Sequence, residues 1–309
     1  MDIILSFDQQ DMKKKTAIAV GYFDGMHLGH RELIRKMCRY AEEKDLLPMI
    51  LTFNMSELRA EGKGKKDLFL REHNMALAEE LGVEVFADIP FGLICDMLPD
   101  EFCKTVLSGE NSLSAAAVFC GEDFRFGKNR IGTVTDLYDC GEHLGFSVIA
   151  IDGVQIDGET VSTSKIKEAV TSGDIEKANR MLGTPYVISG EVIHGNHLAR
   201  GMGFPTANIL LREGIVSPKK GVYITETNIK GERYRSITNI GTRPTVTKDV
   251  ISTAETHILD FDKDIYGENI EVFFYKFVRP EHKFDSAETL KQIVHANIAL
   301  ARDYKIDIC

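Results

Sequence analysis

Up to residue 152 the chain alternates short apolar runs with segments of helical periodicity: TAIAV then RELIRKMCRYAEEK, LLPMILTF then REHNMALAEELG, VEVFADIPF then PDEFCKTVLS, AAAVFCG then TDLYDCGEHLG, and last FSVIAID. Continuous apolar runs suit strands buried on both faces, and the helices between them supply the crossovers that parallel strands need. The pattern predicts a doubly wound parallel α/β sheet, whose ligands bind outside the carboxyl ends of strands near the point where strand order reverses. Two more helices, STSKIKEAVTSG and DIEKANRMLG, carry the chain to Gly183, a usual helix C-cap residue. Beyond that the period becomes two. YVISGEVIHG, GVYITETNIKGERYRSITNIG, AETHILDF and ENIEVFFYKFV read as strands, NIKGE as a hairpin turn, and SAETLKQIVHANIALARDY as one amphipathic helix. Strands without long helices between them predict an antiparallel barrel or sandwich. We place the domain boundary at 184, giving domains 1–184 and 185–309. The length of 309 residues, about twice that of an ordinary domain, agrees.

Charge and cysteine usage narrow the function classes. Residues 185–309 hold 16 Lys+Arg and 16 Asp+Glu, leaving 21 and 31 in residues 1–184, so the whole formal charge of -10 sits in the first domain. A nucleic-acid surface wants the opposite sign, which argues against a polyanion partner and against an RNA-contacting regulator. The six cysteines form no CxxC pair and no zinc spacing, which points to reduced thiols. No stretch approaches the roughly 20 apolar residues that cross a bilayer, and the N-terminal charges lie on the wrong side of a short apolar run for a secretory signal. The expected location is cytoplasmic, with no membrane partner.

The segment GYFDGMHLGH, Gly21 to His30, follows the first long strand. His27 and His30 fall three apart, on one face of any helix starting there, while Gly25 and Gly29 let the backbone turn tightly. Taken alone this is a turn with incidental histidines, a pair of metal ligands lacking a third, or a phosphate corner at a helix N-terminus. The segment HGNHLARGMGFPTANI, His194 to Ile209, sets Gly, Pro and Arg within a stranded region and reads equally as a ligand loop or a β-corner.

The arrangement of strand, HxGH and helix resembles the signature of the nucleotidyltransferase superfamily, and GYFDGMHLGHRELI resembles the FMN adenylyltransferase module of bacterial FAD synthetases. GEDFRFGKNRIG at Gly121 to Gly132 and VSTSKIKEAVTSGD, similar to the superfamily's ISSTxIR motif, follow in that module's order. The resemblance implies that an FMN phosphate oxygen attacks the α-phosphorus of ATP and pyrophosphate leaves. It implies His27 and His30 as catalytic donors, with Phe23, Asp24, Gly25, Gly29, Ser162, Thr163 and Lys165 binding ATP. It implies Asp123, Phe124 and Phe126 on the flavin. The module commonly carries a Pro-His-Pro segment after its second strand; this chain has TFNMSELRAEGKGKK there, and Lys165 and Lys167 where Arg is frequent.

The stretch ending in PTAN resembles the riboflavin kinase signature, and NIGTRPTV and AETHILDF match two more segments of that domain, although Ala199 stands where Gly is usual before Arg200. The chain contains no GxxxxGK[ST], so this is a kinase without a P-loop. The resemblance implies Gly203, Pro205, Thr206 and Asn208 at ATP, with Thr206 and Asn208 holding Mg²⁺ on the nucleotide. Glu255 is implied as the base that takes the proton of the ribityl hydroxyl. Without the resemblance, the sequence alone favours a solvated strand carboxylate at Glu255.

The two resemblances together predict an α/β doubly wound nucleotidyltransferase domain followed by a small antiparallel β-barrel riboflavin kinase domain with a C-terminal helix. The expected activity is phosphorylation of riboflavin to FMN and adenylylation of FMN to FAD. ATP, riboflavin and FMN are the small-molecule partners, and Mg²⁺ accompanies ATP. The alternative, motivated by the altered segment after the second strand, keeps the kinase alone.

Overall fold

The computed structural model describes residues 1–7, 14–62, 64–194, 204–244, 250–282 and 286–306. They form two compact units, Met1–Val161 and Ser162–Cys309.

In the first unit the elements are β1 (Asp2–Ile4), β2 (Thr16–Val20), α1 (Leu28–Lys44), β3 (Leu47–Asn54), α2 (Ser56–Ala60), α3 (Arg71–Glu80), β4 (Val85–Pro90), α4 (Pro99–Phe102), β5 (Ala115–Gly121), α5 (Val134–Leu144) and β6 (Ser147–Ile151). A small hairpin, β7 (Gln155–Ile156) and β8 (Glu159–Thr160), ends it. The six-stranded sheet is parallel throughout, in the order β1-β4-β3-β2-β5-β6. From β2 the chain builds outward through β3 and β4, then returns to add β5 and β6 on the other side. The reversal therefore falls between β2 and β5. Alternate residues of β2 serve opposite faces: Ala17 and Ala19 pack with Leu33, Ile34 and Met37 of α1, while Ile18 and Val20 pack with Leu137 and Cys140 of α5. That two-sided burial is why the strand reads as an unbroken apolar run. Strand β1 was not legible in MDIILSF. Its three residues gain their extended form by pairing with Val85–Ala87, a contact no local pattern announces.

The second unit comprises α6 (Thr163–Ser172), α7 (Ile175–Leu182), β9 (Tyr186–Glu191), β10 (Ala207–Leu210), β11 (Gly221–Ile229), β12 (Glu232–Pro244), β13 (Val250–Ile258), β14 (Asn269–Arg279) and α8 (Ala287–Asp303). All strand pairs are antiparallel, in the order β10-β13-β12-β11-β14-β9, and a bridge between Ile193 and Asn208 brings the two ends of the series together. The result is a nearly closed barrel, which decides between the barrel and sandwich expectations. The β11–β12 hairpin turns on Lys230 and Gly231, both at positive φ (52° and 91°), as a two-residue type I′ turn requires. Inside the barrel, buried hydroxyls of three strands form a string: Thr227 to Ser236 (2.9 Å), Ser236 to Thr225 (2.8 Å), Thr225 to Thr238 (2.9 Å) and Thr238 to Thr256 (2.9 Å). Each hydroxyl satisfies another, so the polar string is buried without orphaned groups.

Helices α6 and α7 belong to the barrel's compact unit, although the change of sequence period comes only after Gly183. Asn179 of α7 explains the attachment: its amide donates to the Phe274 carbonyl of β14 (2.8 Å) and its Oδ1 accepts from the Tyr186 N–H of β9 (2.8 Å).

Candidate active sites

At the carboxyl end of β2, residues 21–27 turn the chain into α1. Gly25 (φ +81°) and Met26 (φ +41°) take left-handed conformations, and His27 becomes the N-cap: its Nδ1 accepts the His30 N–H at 3.3 Å. With Nδ1 used as acceptor, the His27 proton resides on Nε2. The imidazoles of His27 and His30 stack at 3.6 Å, and Phe23 meets His30 edge-on at 5.1 Å. A Cβ at position 29 would lie 3.2 Å from His27 Cε1, so Gly29 is what lets the ring fold back over the helix start. Burial lowers the His27 pKa to about 4 and holds His30 well below the usual histidine range. Both rings are therefore neutral at pH 7 and act as hydrogen-bond donors without formal charge. His30 Nδ1 is buried with no hydrogen-bond partner among the described residues.

The loop is pinned from outside. The Asp24 carboxylate accepts from the Leu68 N–H (2.8 and 3.0 Å) and the Phe69 N–H (3.3 Å), so its oxygens are engaged in backbone bonds of a connection 44 residues away. Asn74 Oδ1 accepts the Gly25 N–H at 3.0 Å. Tyr22 OH bonds Asp67, and Arg59 donates to both (3.2 and 2.6 Å); burial and the Asp67 carboxylate push the Tyr22 phenol pKa up. Asp67, Leu68, Phe69 and Asn74 are absent from the set of residues read from the sequence. Asn74 carried a signal, being the one polar residue of a helical stripe it shares with Ala78; the others carried none.

The segment that departs from Pro-His-Pro begins at Thr52, within β3, passes Asn54, the last residue of that strand, and continues into α2. Asn54 Nδ2 donates to Asp88 Oδ2 (3.0 Å), and Arg71 pairs with the same buried carboxylate. On the next strand across the reversal, Asp123 is exposed just beyond β5 and Phe124 is half-buried. Phe126 is a core residue, stacked on Phe124 (5.6 Å) and packed on Phe102 (5.5 Å). Phe126 thus buttresses Phe124 from behind.

Ser162, Thr163 and Lys165 open α6, where Ser162 Oγ accepts the Lys165 N–H at 3.4 Å as an N-cap.

The barrel holds the second constellation. The choice between ligand loop and β-corner resolves partly into strand: Ala207–Leu210 is β10, Pro205 and Thr206 lead into it, and Gly203 lies outside the described residues. Asn208 Nδ2 donates to the Thr206 carbonyl (3.2 Å) and hydroxyl (3.4 Å). Antiparallel register places Glu255 of β13 directly opposite Asn208 of β10 on one side and Asn239 of β12 on the other. Directly paired residues project to the same side of a sheet, so these three share a surface. His257 Nδ1 bonds the Pro205 carbonyl at 2.9 Å, fastening the entry to β10.

Two cavities meet at Thr206. One, of about 290 Å³, is lined by Glu255, Asn239, Phe204, the apolar Val222 and Ile237, and one face of α8. The other, of about 170 Å³, is lined by Asn208, Thr256, Asp262, Lys263 and Tyr266. Thr206 lines both. Among the described residues no group of three or more His, Cys, Asp or Glu could hold a metal ion.

Comparison with known proteins matches each unit. A family model described as FAD synthetase covers residues 9–165, and one described as riboflavin kinase covers residues 182–305. The chain is 35% identical over 280 residues to the bifunctional riboflavin kinase/FMN adenylyltransferase of Listeria monocytogenes, covering 88% of this chain and 87% of that one. It is 34% identical to that of Bacillus subtilis (92% and 90% covered) and 33% identical to that of Escherichia coli K12 (96% and 94% covered). The chain belongs to the bifunctional riboflavin kinase/FMN adenylyltransferase family. A crystal structure described as a macrolide-efflux protein from Streptococcus pneumoniae superposes with a TM-score of 0.88 at 28% identity, covering 99% of this chain and 100% of that one. Among the described residues of this family member no helix is long and apolar enough to cross a membrane. Matches that run through both units of bifunctional relatives do not favour the kinase-only alternative.

Proposed function

We propose that the barrel phosphorylates the 5′-hydroxyl of riboflavin with ATP, giving FMN and ADP, and that the α/β domain joins FMN to the AMP moiety of a second ATP, giving FAD and pyrophosphate. We assign residues 1–184 to adenylyl transfer and 185–309 to the kinase. One observation carries the kinase reading: Thr206 separates a cavity that holds Glu255 from a cavity that holds Asn208. An alcohol in the first and a triphosphate in the second then face each other across that residue.

In this scheme Glu255 accepts the hydroxyl proton and aims the alcohol at the γ-phosphorus. Positioning of this kind supplies much of the rate in phosphoryl transfer. Pro205, Thr206, Asn208 and Gly203 bind the nucleotide. Thr206 and Asn208 offer neutral hard oxygens, which suit Mg²⁺: with Asn208 Nδ2 turned to Thr206, the amide Oδ1 is directed away from that bond. Bound with ATP, Mg²⁺ would neutralise charge on the β- and γ-phosphates.

For adenylyl transfer, the neutral His27 and His30 donate to the phosphates of ATP as negative charge builds, from buried positions where such bonds are strong. Gly25 and Gly29 give the backbone its close approach, and Asp24 and Phe23 hold the loop. Ser162, Thr163 and Lys165 are proposed phosphate ligands of the same reaction. Asp123 and Phe124, backed by Phe126, are proposed to meet the flavin. ATP, riboflavin and FMN are the partners, no nucleic acid or membrane is invoked, and the ATP-rich cytoplasm is the proposed location.

The test is incubation of the protein with riboflavin, ATP and Mg²⁺ followed by separation of the flavins. FMN and then FAD are expected. FMN without FAD overturns the adenylyl-transfer assignment, and neither product overturns both.

A further inference from the structure

Helix α8 contributes Leu290, Val294, Asn297 and Ile298 to the larger barrel cavity. These positions form one helical stripe, the face that packing on a barrel requires to be apolar. Three of the four are apolar. Asn297 breaks the pattern at the most enclosed position, 8% exposed, one turn before the fully buried Ala301.

Other buried asparagines in this protein have their amides matched: Asn74 to the Gly25 N–H, Asn208 to Thr206. The half-buried Asn179 is likewise bonded to two backbone groups. Asn297 has no hydrogen-bond partner among the described residues. Its amide lies on the cavity wall rather than sealed among apolar side chains, and a leucine there would cost nothing in helix formation and add apolar contact. The residue therefore calls for a polar group arriving from the cavity. The other polar lining residues come from the strands, the approach to β10 or, as with Glu281 and His282, the segment that follows β14, so Asn297 is the polar residue that α8 itself contributes to this wall.

We propose that Asn297 is the flavin-specificity residue of the kinase, pairing with the pyrimidine edge of the isoalloxazine. This rests on reading that cavity as the riboflavin site. A primary amide sets a donor beside an acceptor. The pyrimidine edge sets an acceptor carbonyl beside the N3–H donor, so Asn297 Oδ1 takes the N3 proton while Nδ2 donates to a neighbouring carbonyl oxygen. The opposite, dimethylated edge of the ring system has no such groups and suits Leu290 and Val294, one to two turns back along the helix. With the pyrimidine edge held at α8, the ribityl chain leaves the middle ring toward Thr206 and Glu255, where its terminal hydroxyl reacts. A site built to hydrogen-bond its substrate discriminates strongly against an analogue that cannot, because its own polar group is then left unpaired.

The experiment compares riboflavin with N3-methylriboflavin as kinase substrates of the full chain and of Asn297→Leu. The unmodified protein is expected to prefer riboflavin by about tenfold or more in kcat/KM, the scale of one lost hydrogen bond in a dry site. Asn297→Leu is expected to raise the KM for riboflavin by about that factor, to leave the KM for ATP unchanged and to treat the two flavins alike. A urea midpoint of the barrel's unfolding transition no lower than that of the unmodified protein reports that the barrel is intact. If the leucine variant fails that check, Asn297→Asp carries the test: its carboxylate still accepts N3–H but donates nothing, so riboflavin should keep an advantage smaller than in the unmodified protein. An unchanged riboflavin KM, a preference that persists in Asn297→Leu, or equal losses for riboflavin and ATP overturns the proposal. No phosphorylation of riboflavin by the unmodified protein overturns instead the reading on which it rests.

Discussion

Replacing His27 with Asn separates the two things this residue does. Asparagine is among the best N-cap residues, so the bond to the His30 N–H is retained while the titrating imidazole is removed. The sign of the pH effect follows from the direction of the shift. Burial lowers the folded pKa from 6.5 to about 4, so the fold binds neutral imidazole. The stability this represents is fully present above the unfolded pKa of 6.5 and is lost as pH falls toward 4. Between pH 7 and pH 5 the unfolded chain gains most of a proton that the folded His27 refuses, a loss of about 2 kcal/mol at 1.36 kcal/mol per pKa unit. Urea unfolding followed by circular dichroism across that range should show the first unit weakening with acid in the unmodified protein, and about 2 kcal/mol less weakening in His27→Asn. Carboxylates are common to both proteins and cancel in the comparison. Equal pH slopes would refute the buried neutral state of His27. So would an adenylyl-transfer rate that falls as pH rises through 6.5, since that is the behaviour of a charged imidazole.

Glu255→Gln should stop FMN formation and leave conversion of supplied FMN to FAD intact, and His30→Ala should do the reverse; chromatography of the flavins after each incubation reads both. Loss of both activities from either change in a folded variant contradicts two separate sites. Asn74→Ala orphans the Gly25 N–H and should destabilise the first unit by about 1–3 kcal/mol in urea, with adenylyl transfer lowered and the kinase unaffected. Thr225→Val interrupts the hydroxyl string in the barrel and should cost a similar amount, about 1–3 kcal/mol, in the barrel's unfolding transition, whereas an unchanged midpoint would show that the string adds nothing.

The amino-acid sequence by itself determined what depends on neighbours along the chain. Apolar runs bounded by helical stripes became β2 to β6 with their helices, and Lys230-Gly231 became a type I′ turn. Ser162, Asp174 and Ser286 became helix caps, because these structures are set by periodicity and by bonds spanning three or four residues. The histidines of HLGH and the PTAN stretch stood out as local motifs, but only their family resemblance chose among the readings those motifs left open. Tertiary structure alone decided the rest. That His30 is desolvated and uncharged, that Asp24 binds the amides of Leu68 and Phe69, and that Asn74 holds Gly25 all depend on how distant parts of the chain pack around the loop, the last two on a connection more than 40 residues away. Glu255 stands between Asn208 and Asn239 through antiparallel register, which no single strand encodes. Asn297 shows the two levels together: its place on an apolar stripe is written in the helix, but the cavity that gives its amide a purpose exists only once α8 lies against the barrel.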